Sequence, residues 1–267
     1  MPPATETRDA TGAALFDLTG RTALVTGSSR GIGYALASGL ARAGATVILN
    51  GQDTDRLEDA RARLEEEVGP DRVVSSAFDV TDEMQVSGAI DHLERSLGPI
   101  DILVNNAGIQ HRVALFDLAR KDWDRVLSTN LTSAFLVGRE AARNMASRGR
   151  GKIINVCSIQ SELARPTIGA YTASKGGLRN LTRAMTAEWA SSGIQANGIA
   201  PGYISTEMTR ALTEDEKFNS WVLGRTPAAR WGSPQDLVGP TVWLASSASD
   251  FVNGQTIFVD GGMSVVV

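Results

Sequence analysis

The chain has 267 residues, 42% of them hydrophobic, a single cysteine and a formal net charge of -4. That length leaves one or two domains open and is enough for a sizeable core. The acidic balance argues against an electrostatic grip on nucleic acid or an anionic membrane, and a lone Cys157 permits no intrachain disulfide and does not imply secretion.

In chain order, the polar N-terminus lacks the apolar stretch of a signal peptide. Residues 1–14 are therefore expected to be a mobile tail before one domain over 15–267. No run approaches the ~20 apolar residues of a membrane span, so a soluble cytoplasmic protein is expected. TALVT (22–26) predicts a buried strand, followed by a glycine-rich turn and the helical GYALASGLARAG. ATVILN (45–50) predicts a second strand, and DTDRLEDARARLEEEVG a charged helix. RVVSSAFDV (72–80) is a third strand and DEMQVSGAIDHLERSLG a third helix. IDILVNNAG, KIINVCS (152–158), IQANGIAPG and QTIFVDGG (255–262) complete seven strands. Strands separated by helices imply βαβ crossovers, hence one doubly wound parallel sheet with helices on both faces. The ligand of such a sheet sits beyond the carboxyl ends of its strands. The glycine turn, NNAG, Ser158 and PGYIST all fall there.

TGSSRGIG (26–33) follows the first strand and opens a helix, so its backbone N–H groups can approach a pyrophosphate. Its glycines are Gly27, Gly31 and Gly33, and an ordinary glycine turn is the competing reading. Where dinucleotide sites place an acid, after the second strand, stands Asn50, and Arg30 lies inside the loop. A neutral strand end beside a guanidinium suits a 2′-phosphate, so NADP(H) is preferred and NAD(H) possible. Asp79 either accepts from an adenine amino group or caps the next helix. Small residues in NNAG permit close cofactor approach. In YTASK, Tyr171 and Lys175 share one helical face, where an ammonium favours the phenolate. A surface pair is the alternative. The two histidines, His92 and His111, make a catalytic metal unlikely.

TGSSRGIG, NNAG, Asn130 in STNLTSAF, Ser158, YTASK and PGYIST together resemble the short-chain dehydrogenase/reductase family from about Leu18 to the C-terminus. The resemblance implies a Rossmann-like fold, a catalytic tetrad of Asn130, Ser158, Tyr171 and Lys175, and commonly a homotetramer. It implies cofactor contacts at Gly27, Ser29, Arg30, Gly31, Ile32, Gly33, Asn50, Asp79, Val80, Asn106, Ala107, Gly108, Pro201, Gly202, Ile204 and Thr206, besides Tyr171 and Lys175. Ser158 would hydrogen-bond the reacting oxygen, Tyr171 protonate it, and Lys175 stabilise the phenolate. Asn130 would hold a water that links Lys175 to solvent.

NNAGIQ, CSIQSELAR, APGYISTEM, RTPAARWG and FVDGGM are similar to the branch that interconverts D-gluconate and 5-dehydro-D-gluconate. For such a sugar acid, Arg112 or Arg165 would pair with the carboxylate, and Gln110, Gln160 and Glu162 would address hydroxyls. Residues 205–232 are expected to form a helical lid, and the VVV end to be buried at a subunit contact. The alternatives are a 3-oxoacyl thioester reductase on the same scaffold and a non-catalytic dinucleotide sensor.

Overall fold

The computed structural model describes residues 12–266. The first eleven residues of the expected tail and the terminal Val267 lie outside them, and Gly12–Phe16 form a short 3-10 turn. Seven strands make one sheet: β1 (Thr22–Val25), β2 (Thr46–Gly51), β3 (Val73–Ala77), β4 (Ile102–Asn105), β5 (Gly151–Val156), β6 (Ile194–Pro201) and β7 (Thr256–Val259). Their order is β3-β2-β1-β4-β5-β6-β7, and every pairing is parallel. Between them lie α1 (Gly31–Arg42), α2 (Thr54–Val68), α3 (Glu83–Ser96), α4 (Arg120–Leu127), α5 (Ser133–Arg148), α6 (Gly169–Trp189), α7 (Arg210–Thr213), α8 (Glu216–Arg225) and α9 (Val238–Ala245).

The strands are nearly continuous in Val, Ile and Leu because both faces are covered. Val25, Val47, Leu49, Val104 and Ile154 pack with Leu36 and Leu40 of α1, Leu57 and Leu64 of α2 and Leu244 of α9. The alternate residues Leu24, Ile48, Leu103 and Ile153 face α3 (Val86, Ile90), α5 (Val137, Met145) and Met185 of α6. A strand's period of two thus separates two cores within one domain.

Several strands end earlier than the sequence suggests, β3 and β7 among them. After Ala77, the carbonyls of Ser76 and Phe78 accept from the Asn50 side chain, and Asp79 turns back onto Thr81. After Val259, Asp260 accepts from the N–H groups of Gly262 and Ser264, and Gly261 and Gly262 take positive φ. Local side-chain bonds have replaced ladder bonds at both places.

β1 lies between β2 and β4, so the chain winds one way through β3 and then the other way from β4. This topological switch opens a crevice above the carboxyl ends of β1 and β4. Among the described residues no helix is long and apolar enough to cross a membrane.

Candidate active site

Gly27 and Gly31 adopt φ of +60° and +59°, which glycine takes without a Cβ penalty. Gly33 serves a close approach: a Cβ there would stand 2.4 Å from both the Gly27 carbonyl oxygen and Asn106 Nδ2. Thr26 Oγ1 accepts from the N–H groups of Asn106 (3.0 Å) and Ala107 (3.1 Å). Asn106 Nδ2 donates to the carbonyls of Thr26 and Gly27, both at 2.9 Å. The glycine loop and NNAG are therefore held together as one rim, with the amino end of α1 opening onto it. That cradle fits a dinucleotide pyrophosphate.

Asn50 is buried, and its amide is used within the protein. Nδ2 donates to Ser76 O (3.2 Å) and Phe78 O (3.1 Å), and Oδ1 accepts from Gly27 N (3.3 Å). It braces the loop and leaves a neutral strand end beside Gly51 and Ser29. Asp53 caps α2 and pairs with Arg56 at 3.1 Å. Arg30 is exposed and reaches Glu207 Oε2 at 2.6 Å. Asp79 accepts from Thr81 N–H and Oγ1–H at 2.8 and 2.7 Å, whereas the cap of α3 is Asp82. Val80 is buried in the core under α3.

Ser158 follows β5, and its Oγ accepts from Gln160 N at 3.1 Å. Tyr171 and Lys175 stand one turn apart on α6, with Nζ 5.8 Å from the phenol ring centre. Burial pushes the Tyr171 phenol up, opposed by a hydrogen bond with Ser158. The expected lowering by Lys175 is not the direction found: burial dominates, and Nζ donates to the Val156 carbonyl at 2.6 Å. Burial lowers Lys175 itself to about 8. A Cβ on Gly108 would lie 3.5 Å from Asn130 Oδ1 and 3.7 Å from Lys175 Nζ, so this glycine sits against both.

Asn130 occupies a π turn, Ser128–Thr132, between α4 and α5. Its Nδ2 donates to Ile109 O (2.9 Å) and Ser174 Oγ (3.0 Å), and its Oδ1 accepts from Ile109 N (2.8 Å). Both amide hydrogens are thereby engaged, so the side chain clamps the segment after NNAG onto α6. Ser174 completes this link by donating to the Tyr171 carbonyl at 2.7 Å. Sequence reasoning missed Ser174, although it lies inside YTASK. Beneath α6, Asn105 Nδ2 donates to Asn155 Oδ1 (2.9 Å) and Asn155 Nδ2 to Thr182 Oγ1 (2.8 Å). This buried chain fixes the helix carrying Tyr171 against β4 and β5.

One cavity is lined by Ser158, Tyr171, Gln110, Gln160, Arg165 and Tyr203, with Ile32, Pro201, Ile204 and Thr206 also on its wall. Met208, Thr209 and Leu212 of the helical segment after β6 close it from above. Gly202 lies behind that wall, where a Cβ would meet Asp260 Cβ at 2.3 Å. Arg112 stands beside the cavity and donates from Nε to Gln110 Oε1 at 2.9 Å. Its guanidinium is lowered by burial and by Arg165. Among the described residues neither arginine has a carboxylate partner within ion-pair distance. Glu162 departs from the expected set: it does not line the cavity, and its carboxylate pairs with Arg179. Gln160 is 7% exposed, and its Oε1 has no hydrogen-bond partner among the described residues. Tyr203, inside PGYIST, carries no expected role, yet its hydroxyl is likewise buried, with Arg165 near it and no acceptor for its proton among the described residues. Among the described residues no three His, Cys, Asp or Glu side chains gather as metal ligands.

The family model described as enoyl-(acyl carrier protein) reductase matches residues 27–264. The gluconate 5-dehydrogenase of Gluconobacter oxydans (strain 621H) is 54% identical over 94% of this chain and 97% of its own length. The 5-keto-D-gluconate 5-reductase of Escherichia coli (strain K12) is 51% identical over 95% of this chain and 99% of its own. A crystal structure of a gluconate 5-dehydrogenase from Burkholderia cenocepacia J2315, in complex with NADP and tartrate, superimposes with a TM-score of 0.93. It is 50% identical and covers 96% of this chain and 100% of that one. Glycine cradle, Ser158, the Tyr171–Lys175 helix and these likenesses over nearly the whole length agree: the chain belongs to the short-chain dehydrogenase/reductase family.

Proposed function

We propose that this protein reversibly transfers a hydride between NADP(H) and the D-gluconate/5-dehydro-D-gluconate pair. One observation carries the reading. Ser158 and Tyr171 open onto the same cavity as Arg165 and the unpartnered Oε1 of Gln160. That cavity offers a cation for a carboxylate and an acceptor for a hydroxyl, next to a proton donor. The relatives named above act on the same substrate pair, and the solved neighbour carries NADP.

When bound, NADPH supplies the hydride. The glycine loop from Gly27 to Gly33 holds the pyrophosphate, with Ser29, Arg30 and Ile32 along its edge. Arg30 would meet the 2′-phosphate at the neutral end of β2. Asp79 and Val80, just past the end of β3, would lie on the adenine side, and Asn106, Ala107 and Gly108 would form the floor. Pro201, Ile204 and Thr206 would border the nicotinamide side, with Gly202 packed behind them. Ser158 donates to the substrate carbonyl oxygen as negative charge builds there, and Tyr171 delivers the proton to it. Burial raises the phenol above its ordinary range, so Tyr171 carries its proton and is ready to donate in the reducing direction. Lys175 neutralises the phenolate left behind, and Asn130 holds the rim against α6 while this happens. Residues 205–232 cover the substrate as a lid.

We further infer a cytoplasmic homotetramer. Leu115, Phe116 and Phe135 are exposed beside α4 and α5, and Val265 and Val266 are exposed at the C-terminus. Apolar groups of this kind suit subunit contacts, and light scattering of the purified protein tests the assembly.

The deciding assay follows loss of NADPH absorbance with 5-keto-D-gluconate, with NADH and an acetoacetyl thioester in parallel arms. Turnover of the keto-acid with NADPH is expected. Activity on the thioester alone would replace the substrate reading with that of an acyl reductase. Cofactor binding without turnover of either would favour a dinucleotide sensor.

A further inference from the structure

Tyr203 joins two parts of the molecule. It follows Pro201 and Gly202 at the end of β6, and its ring packs edge-on against three aromatic rings. Those are Phe218 at 5.4 Å, Trp221 at 5.9 Å and Trp231 at 5.6 Å between centres. Phe218 and Trp221 belong to α8, so the ring is the hub that seats this helix over the site. Trp231 Nε1 donates to Asn219 Oδ1 at 2.7 Å, which ties the end of the segment back to α8. The ring is therefore held from several sides.

The hydroxyl at the other end of that ring is placed differently. It is buried and belongs to a side chain lining the cavity of Ser158 and Tyr171; Arg165 stands close enough to pull on it, but no group among the described residues takes its proton in a well-formed hydrogen bond, so its O–H is left to donate. A buried phenol without a partner costs free energy unless something completes it. The arginines nearby indicate what does. Arg165 lies over the Phe218 ring at 5.3 Å, adjacent to Tyr203, and lines the same cavity. Arg112 approaches from the Gln110 side. A hydroxyl donor and two guanidiniums without carboxylate partners call for an anion with more than one acceptor.

We propose that Tyr203 is a specificity-determining residue whose hydroxyl donates to the substrate carboxylate alongside Arg165 and Arg112. This inference rests on the sugar-acid reading above and deepens it. The carboxylate end of the substrate is anchored at Tyr203 while the carbonyl to be reduced lies at Ser158 and Tyr171. Burial raises the phenol above its ordinary range despite the charge and hydrogen bond of Arg165 and the charge of Arg112, so these cations do not turn it into a phenolate and it remains a donor. Because the same ring seats α8, occupancy of the anion site is felt by Trp221 and Trp231, which supplies a readout independent of turnover.

The test compares wild type with Tyr203→Phe, which keeps the ring and its packing. Steady-state kinetics are run with 5-keto-D-gluconate and with L-sorbose, the same ketose carrying CH2OH in place of the carboxylate. Tryptophan fluorescence is titrated with D-gluconate in the presence of saturating NADPH, a pair that binds but cannot react. The expected result is a KM for the keto-acid raised about tenfold with kcat nearly unchanged, the loss typical of one hydrogen bond to a charged group. D-gluconate affinity falls by a similar factor, and kcat/KM for L-sorbose does not change. An equal loss on both substrates, or none on the keto-acid, overturns the role of Tyr203 and leaves the sugar-acid reading standing. A wild type that neither turns over the keto-acid nor binds D-gluconate overturns both together. Tyr203→Ala distinguishes the two ends of the side chain: it also removes the hub of α8, so activity on L-sorbose falls as well.

Discussion

An ammonium taken out of water loses hydration that one carbonyl does not replace. Lys175 is 4% exposed, the hydrogen bond found for Nζ is to Val156 O, and its pKa falls to about 8. An unfolded lysine titrates near ~10.4. Between about 8 and that value the unfolded chain binds the extra proton, so this residue's contribution to stability rises with pH across the window. Below it both states are charged and the burial cost stands in full, about 3 kcal/mol at ~1.4 kcal/mol per pKa unit. Lys175→Met removes the charge but leaves Val156 O without its donor, an offset of about 1 kcal/mol. The cofactor-free variant should therefore be inactive yet melt several degrees higher at pH 7, with the advantage shrinking by pH 9.5. Thermal melts at the two pH values check this, and a variant less stable at both would refute the burial account. Tyr171→Phe probes the partner residue. It removes the proton donor and leaves the glycine cradle alone, so keto-acid reduction should fall at least about a thousandfold. A fluorescence titration should find NADPH affinity unchanged within about twofold.

At the scale of elements, the turn from β1 into α1 depends on two glycines for different reasons. Gly31 has φ of +59° and open space where a Cβ would go, so alanine there meets backbone strain alone, about 1–2 kcal/mol. A Cβ on Gly33 would lie 2.4 Å from the Gly27 carbonyl oxygen, and backbone cannot yield as a side-chain tip can. Gly33→Ala should thus lower the urea midpoint more than Gly31→Ala and abolish NADPH binding, whereas Gly31→Ala weakens it only partly. Equal effects would mean that strain, not close packing against NNAG, sets the requirement. The turn was legible in the sequence because glycine spacing and a following helix mark it locally. All seven strands were legible for a related reason: apolar runs bounded by turn residues carry their own signal. The π turn at Ser128–Thr132 was not, since STNLT reads like any helical stretch and only packing against α6 and Ile109 makes it depart from the α ladder. Glu162 and Tyr203 were misplaced and missed for the same kind of reason. Which loop side chain turns toward Arg179 and which toward the cavity is decided by neighbours distant in sequence.

Across the whole molecule, the crevice is assembled from both halves of the chain, and an ion pair spans it. Arg30 in the glycine loop reaches Glu207, just after PGYIST, at 2.6 Å. Both side chains are more than half exposed, at 58% and 61%, so solvent screens the pair and it adds little to folding. Its importance is competitive. Arg30 cannot give its full fork to Glu207 and to a 2′-phosphate together, and a carboxylate held near that phosphate repels it. NADH has no phosphate there and should not sense the carboxylate. Glu207→Gln should therefore tighten NADPH binding about two- to threefold at low salt while leaving NADH affinity unchanged. Near ~0.5 M salt, where the Debye length falls to a few ångströms, the gain should disappear. Parallel titrations with the two cofactors at both salt levels check the competition. Equal shifts for NADPH and NADH would place the effect of Glu207 on the lid segment it begins, not on the phosphate that Arg30 would hold.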